Sequence, residues 1–395
     1  MMHTDDLSLT RLDRAFAAFL QAAQGATDPQ HGLLAALASH QFGRGHACLD
    51  LSQLATQGVS ALGWDGATVT ALPPGLGEAA ATLPWIAGDG SPLVLDGSRL
   101  YLRRNWWAEQ SIRGAIAERL AHPCAAPRDL PAPLARPFGP AGEALDWQRV
   151  ACALAARRRL TLITGGPGTG KTTTVVRLLA LLLSQARAEG KGLNIALAAP
   201  TGKAAARLGE SVASAVAKLP ADMQFVLNDS AVTLHRLLGI RGGQAGASAP
   251  SLALDLLVVD EASMIDLDML ARLLAAVPLD ASLILLADKD QLASVEAGAV
   301  MGQLCHGALA GNYSDDTIDW LRSHAGSDVN AWRGGGTALA QQTVMPRHSH
   351  RFANDGAIGR WASAINEGRR GDVQALWAHF RCCARCAKGR GAWSR

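Results

Sequence analysis

The sequence predicts an α/β fold built on a parallel sheet, preceded by a smaller, mostly helical unit. Three observations predict it. Residues 165–172 read Gly-Gly-Pro-Gly-Thr-Gly-Lys-Thr and fit the phosphate-loop pattern G-x-x-x-x-G-K-[ST]. Four short apolar runs, at 160–164, 194–199, 256–259 and 282–287, have the near-continuous hydrophobicity of strands buried on both faces. Helical spacing follows three of them, at 172–183, 203–217 and 267–276, and that alternation argues crossover connections and hence parallel strands.

The first unit spans residues 1–122. Residues 9–24 predict an amphipathic helix, with Leu12, Phe16, Phe19 and Leu20 at helical spacing as its inward face. Residues 92–102 predict a hairpin around Asp96-Gly97-Ser98. Trp106-Trp107 opens another helix; burial in a small core is the expected role for the pair, and a partner surface is the alternative. Six prolines between 123 and 140 predict a linker, because proline lacks the N–H that helices and sheets need.

The strand-helix alternation defines an ATPase-type domain over 141–310, interrupted by a Gly-, Ala- and Ser-rich loop at 241–251. Residues 311–336 are polar and carry Gly334-Gly335-Gly336, so an irregular segment is expected there, with a helix resuming over 355–367. The tail, 378–395, is basic and Cys-rich and is expected to be disordered. Cys383 and Cys386 form one C-x-x-C beside Cys382, with His379 nearby. Cys382, Cys383, Cys386 and His379 can be drawn as a zinc site, which needs about four ligands, but no second spaced pair follows, and metal binding is not the expected reading; the isolated Cys48, Cys124, Cys152 and Cys305 are expected to be buried small hydrophobes.

The whole chain has 395 residues, a 49% hydrophobic share and a net charge of +3, which suits two or three ordinary cores and does not by itself argue for nucleic acid. No apolar run reaches ~18 residues, so no membrane span is expected. The N-terminus lacks a signal-peptide pattern, and a cytoplasmic location is the expectation.

The candidate chemistry starts at the phosphate loop. Gly165, Gly166, Pro167, Gly168, Thr169 and Gly170 let backbone N–H groups point at phosphate oxygens. Lys171 suits the β- and γ-phosphates of ATP, and Thr172, with Thr173 beside it, offers a hydroxyl to Mg²⁺. Asp260 and Glu261 end an apolar strand, where Asp260 suits Mg²⁺ and Glu261 suits a water-activating base; alone, such a pair is also a common helix-start charge pair. Gln291 follows the next strand, placed either as a γ-phosphate sensor or as part of a polar turn. Gln148 precedes the loop strand, and its amide can donate to and accept from an adenine edge. Thr201 and Lys203 open a helix after the 194–199 strand and are candidate contacts to a nucleic-acid backbone. His235 is a second candidate contact, or simply a helix-surface residue.

The order of Gln148, 165–172, Pro200-Thr201-Gly202-Lys203-Ala204-Ala205, Asp260-Glu261, Gln291 and Ser349-His350-Arg351-Phe352 resembles that of superfamily 1 helicase motifs. The strings Thr233-Leu234-His235-Arg236-Leu237-Leu238-Gly239 and Asp260-Glu261-Ala262-Ser263-Met264 look like the RecD family, subunits of exodeoxyribonuclease V. The resemblance implies a RecA-like P-loop NTPase domain and an ATP- and Mg²⁺-dependent 5′→3′ DNA helicase. It implies work on single- and double-stranded DNA ends with RecB-like and RecC-like subunits, in double-strand break repair and recombination. It also implies an N-terminal partner-docking domain and a transition-state role for Arg351. Ala287 stands where the family has Gly, a minor departure.

The resemblance fades near Trp377, and only 44 residues follow Arg351. A second RecA-like domain is therefore expected to be largely missing, and residues 311–377 to hold an irregular segment and only its start. Two functions follow as alternatives: a translocating helicase subunit, or a subunit that binds ATP and partners without moving.

Overall fold

The computed structural model describes residues 7–25, 28–64, 72–122, 131–139, 145–166, 168–227, 229–240, 251–288 and 300–347, and short pieces between 360 and 377. The N-terminal region holds α1 (Arg11–Gln24), α2 (Pro29–Gly43), β1 (Cys48–Asp50), α3 (Leu51–Gln57), α4 (Leu76–Ala81), β2 (Leu93–Asp96) and β3 (Arg99–Leu102). The three strands form an antiparallel sheet in the order β1-β3-β2, and β2 and β3 are the expected hairpin.

Helix α1 starts on a capping box. Thr10 Oγ1 accepts the Asp13 N–H at 3.2 Å, and the Asp13 carboxylate accepts the Thr10 N–H at 2.9 Å. Half of the expected face is inward: Leu20 is buried and Phe16 packs on the same cluster, whereas Leu12 and Phe19 are 73% and 68% exposed and Leu9, Asp13 and Ala17 are buried instead. The reason is chemical. Asp13 is accommodated in the core because Ser39 Oγ donates to it at 2.7 Å and Thr10 Oγ1 at 2.8 Å. Helix α2 starts with Pro29 behind the Asp28 cap and is buried continuously from Gly32 to Gln41.

Next comes α5 (Arg103–Ala121), which starts in the N-terminal region and ends on the large sheet. Ala108, Ile112 and Ile116 pack into the cluster covering one sheet face. Arg119 is 2% exposed and donates to the carbonyl of Pro278 at 3.1 Å and to those of Val277 and Ala281. Trp107, expected in a core, is instead 55% exposed, because its turn of α5 faces outward while Asn105 and Ala108 face in.

Part of the expected linker is a helix, α6 (Pro131–Phe138). Pro131 and Pro133 lie in the first turn, whose N–H groups have no helical partner anyway, whereas Pro137 lies inside the helix and removes an N–H that would otherwise bond. Leu134 is fully buried in the second large cluster, so packing offsets the weak propensity. Residues 123–130 and 140 of that expected linker lie outside the described residues.

The large domain contains α7 (Trp147–Arg157), β4 (Leu160–Thr164), α8 (Lys171–Ala188), β5 (Ile195–Ala199), α9 (Gly202–Val216), β6 (Val232–Thr233), α10 (Leu234–Leu237), β7 (Leu256–Val259), α11 (Leu267–Ala276), β8 (Ser282–Ala287), α12 (Val300–Leu304), α13 (Asp315–Ala325) and β9 (Thr343–Val344). Six parallel strands run in the order β6-β5-β7-β8-β4-β9. Side chains alternate between the faces: Leu160, Leu162, Leu257, Val259, Leu283 and Leu285 join one cluster, and Ile163, Leu256, Val258, Ile284 and Leu286 the other. This is the RecA-like P-loop NTPase architecture that the sequence implies, with a mostly helical region before it.

The polar segment 311–336 is not irregular throughout. Ser314 caps α13, which buries Ile318, Leu321 and Ala325 at helical spacing and ends at Gly326 in a left-handed conformation. Four of its eleven residues are Asp or Arg and hide that stripe in the sequence. Strand β9 then adds to β4, pairing Leu162 with Thr343. The helix expected over 355–367 and the tail from 378 fall largely or wholly outside the described residues.

Candidate nucleotide site

Parallel strands put all their C-terminal ends on one edge, and there a ligand meets loops and helix N-termini together. Strand β4 delivers the phosphate loop to that edge, and its turn leads into α8. Gly168 and Gly170 both have φ of 82°, a backbone region that favours glycine, and Gly170 is the N-cap of α8. Gly165 is required for space instead: a Cβ there would lie 3.1 Å from the Pro346 carbonyl and from Thr169 Oγ1. Thr169 Oγ1 donates to the Gly166 carbonyl at 2.9 Å and ties the loop to itself.

The Lys171 ammonium donates to the carbonyl of Gly165 and, at 3.3 Å, to that of Gly166, and it stands 4.0 Å from the buried Asp288 carboxylate. Asp260 follows β7, two strands from β4, and its N–H continues the ladder by donating to the Ala198 carbonyl at 2.9 Å. Its side chain accepts the Glu261 N–H at 2.9 Å. Burial pushes the Asp260 carboxyl above its ordinary value, against the smaller opposing effects of that N–H and of Lys171. Glu261 has φ of 51°, a left-handed conformation that costs a non-glycine residue about 1 kcal/mol or more. Thr172 is half-buried in the first turn of α8, and Thr173 is exposed.

The structure thus brings Gly165, Gly166, Gly168, Thr169, Gly170, Lys171, Thr172, Asp260 and Glu261 to one edge. Thr201, which caps α9 by accepting the Ala204 N–H at 3.2 Å, and Lys203 are exposed after β5 on that edge. His235 is exposed on α10, after β6. Pro167, Gln291 and Arg351 lie outside the described residues, as do Cys382, Cys383 and Cys386. Gln148 is only 7% exposed, and its Oε1 accepts from Arg177 Nη1 at 2.9 Å.

Two contributors had no signal of their own in the sequence. Asp288 directly follows β8 and gains its meaning only from its distance to Lys171. Arg347, just past β9, lies over the rings of Trp147 and Trp332 at 4.8 and 5.0 Å, which fixes the segment that passes Gly165. Among the described residues, no group of three or more His, Cys, Asp or Glu side chains is arranged to hold a metal ion. Among the same residues, no helix is long and apolar enough to cross a membrane.

Residues 148–297 match the AAA domain family, and residues 6–101 match the N-terminal domain of the RecBCD enzyme subunit RecD. The RecBCD enzyme subunit RecD of Mycobacterium tuberculosis is 41% identical over 354 residues, covering 88% of this chain and 54% of that protein. The RecD subunit of Mycolicibacterium smegmatis is 43% identical over 353 residues, covering 88% and 55%. A solved structure, Bacteroides Pif1 bound to ssDNA, is 19% identical, covers 57% of this chain and 46% of that one, and has a TM-score of 0.31, too loose a likeness to bear on function. The chain spans about half the length of the curated relatives it matches. Along that span it is homologous to the RecD subunits of RecBCD enzymes.

Proposed function

We propose that this chain is the ATP-hydrolysing part of a 5′→3′ DNA helicase subunit. It acts at single- and double-stranded DNA ends with RecB-like and RecC-like subunits, in double-strand break repair and homologous recombination. The observation that carries the reading is the gathering of Lys171, Thr172, Asp260 and Glu261 at the C-terminal edge of one parallel sheet. DNA as the partner is supported by the homology and by exposed Thr201, Lys203 and His235 on the same edge.

In this reading the loop from Gly165 to Thr172 wraps the phosphates with backbone N–H groups at the start of α8. Lys171 exchanges the carbonyls of Gly165 and Gly166 for phosphate oxygens. Thr172 and Asp260 supply the hard oxygen donors that Mg²⁺ takes, and a carboxylate penalised by burial is one that a nearby cation relieves. Bound Mg²⁺ neutralises charge on the β- and γ-phosphates. Glu261 orients the attacking water and takes its proton. Gln291 senses the γ-phosphate, and Arg351 stabilises charge developing on it; both roles rest on the resemblance.

The test is ATP turnover by the full chain, with and without single-stranded DNA, for the wild type and Lys171→Gln. DNA-stimulated turnover that Lys171→Gln abolishes is expected. Unchanged ATP affinity in Lys171→Gln would sink the loop assignment. Nucleotide binding without turnover would favour a subunit that binds without moving, and indifference to DNA would point to an ATPase of another kind.

A further inference from the structure

Trp107 is used by neither a core nor the nucleotide site. Its neighbour Trp106 is half-buried and tethered, since the indole N–H donates to Asp96 Oδ2 at 3.2 Å. The two rings meet edge-on, at 75° and 5.4 Å between centroids. Trp107 is thereby propped outward, 55% exposed. One turn earlier on α5, the exposed Arg104 lies over the ring of Phe42 at 4.3 Å. The chain after Phe42 stays beside α5, because Asn105 Nδ2 donates to the Ala47 carbonyl at 3.1 Å. That stretch carries the exposed Arg44.

The charge around these rings has one sign. No Asp or Glu occurs between Asp28 and Asp50, or between Asp96 and Glu109. The two carboxylates that border the patch on α5 and β2 are engaged, Asp96 by Trp106 and Glu109 by the Tyr101 hydroxyl at 3.5 Å. Among the described residues, neither Arg44 nor Arg104 is in an ion pair; Arg44 donates to Gln41 Oε1 at 3.1 Å.

Helix α5 also sets the height of the patch. Its Arg119 end binds carbonyls between α11 and β8, at the edge of the sheet opposite the nucleotide site. Ala108 lies about 16 Å back along the helix at 1.5 Å per residue, and it still packs in the same cluster. Strands of four to six residues, such as β7 and β8, are about 13–20 Å long. Helix α5 therefore runs the height of the sheet, and its first turns stand level with the edge that holds Lys171, Thr201 and Lys203.

The geometry points to a single-stranded nucleic-acid site at Phe42, Arg44, Arg104 and Trp107, in which Trp107 stacks on a base and the two guanidinium groups meet phosphates. A single strand offers exactly this pair of features, free π-faces and a charged backbone. A duplex keeps its base faces stacked inside, and an acidic polypeptide would leave the Trp107 ring without a matching surface. The site lies outside the nucleotide site and needs neither ATP nor turnover.

The test is fluorescence anisotropy of a labelled oligo(dT) of about 20 nucleotides, long enough to cover an ordinary single-strand site. It uses the full chain without nucleotide, as wild type, Trp107→Ala, Trp107→Phe and Arg104→Gln. Trp107→Ala weakens binding about five- to tenfold, and Trp107→Phe recovers most of the loss. Arg104→Gln lowers the slope of log affinity on log salt by about 0.7, the share of one phosphate contact. Affinity equal to wild type in folded Trp107→Ala overturns the site. So does an equal loss on duplex DNA of the same length, since stacking is then not what Trp107 supplies. Poly-glutamate that competes as well as oligo(dT) would assign the patch to an acidic protein partner and overturn it too. A chain that binds oligo(dT) through Trp107 but binds no ATP would sink the ATPase reading and keep this site.

Discussion

Lys171, the first residue of α8, and Asp288, which follows β8, face each other ammonium to carboxylate at 4.0 Å, with Asp288 2% exposed. The same ammonium is the group that suits nucleotide phosphates. A buried carboxylate this near therefore holds the lysine in place and also repels an incoming polyanion. Asp288→Asn removes the repulsion. Affinity for ATP without Mg²⁺ is expected to rise several-fold while turnover falls, because the lysine is less well held. A titration in the presence of a chelator checks this, and an unchanged affinity would mean that the charge of Asp288 is neutralised locally.

Asp260 predicts a pH-dependent exchange of stability for activity. Burial raises its carboxyl above the ordinary 3.8. A group raised on folding stabilises the fold while protonated, below its unfolded value, and that contribution is lost as pH rises through the folded value. At neutral pH the ionised side chain is therefore a net cost to folding. Asp260→Asn should raise the Tm at pH 7, and its advantage over wild type should shrink as the pH is lowered through the raised carboxyl range. Turnover should drop by about 100-fold or more. Thermal melts across pH 3 to 8 decide it, and a lower Tm at pH 7 would contradict the argument.

Glu261 pairs a strained backbone with a candidate base. At φ 51° a glycine relieves the strain and a glutamine does not. Glu261→Gly should gain about 1 kcal/mol in a urea melt, and Glu261→Gln should be close to neutral. Both should lose about 10²- to 10⁴-fold in turnover. If the glycine variant is no more stable than the glutamine variant, the left-handed conformation carries no strain that folding must offset.

The four central strands of the large domain, β5, β7, β8 and β4, were legible because both their faces are covered, which leaves apolar runs; β7 and β8 fall where those runs lie. The outer strands β6 and β9 have two residues each, too few to leave a run. Helix α11 spans its predicted residues for a related reason, an apolar stripe undiluted by charge. Legibility failed where a polar residue is buried or a poor helix former is packed. Asp13 reads as surface, yet it occupies the core face of α1 and turns Leu12 and Phe19 outward. The motif residues were readable because spacing along the chain defines them. Asp288 and Arg347 were not, since their roles come from distances between elements that sequence spacing does not encode.

Helix α6 offers the sharpest contest between local propensity and packing. Three prolines in eight residues argue against a helix, yet Leu134 is fully buried among the residues of α7 and α8. A linker residue replaced by alanine changes stability within about 0.5 kcal/mol. A packed core leucine costs about 2–5 kcal/mol, because the cavity adds to the lost transfer energy. Leu134→Ala should therefore lower the urea midpoint clearly, with an unchanged slope. It should also loosen Phe138 under the Arg177 guanidinium. A variant as stable as wild type would return 131–138 to the status of a linker and remove the support that α6 gives to Arg177.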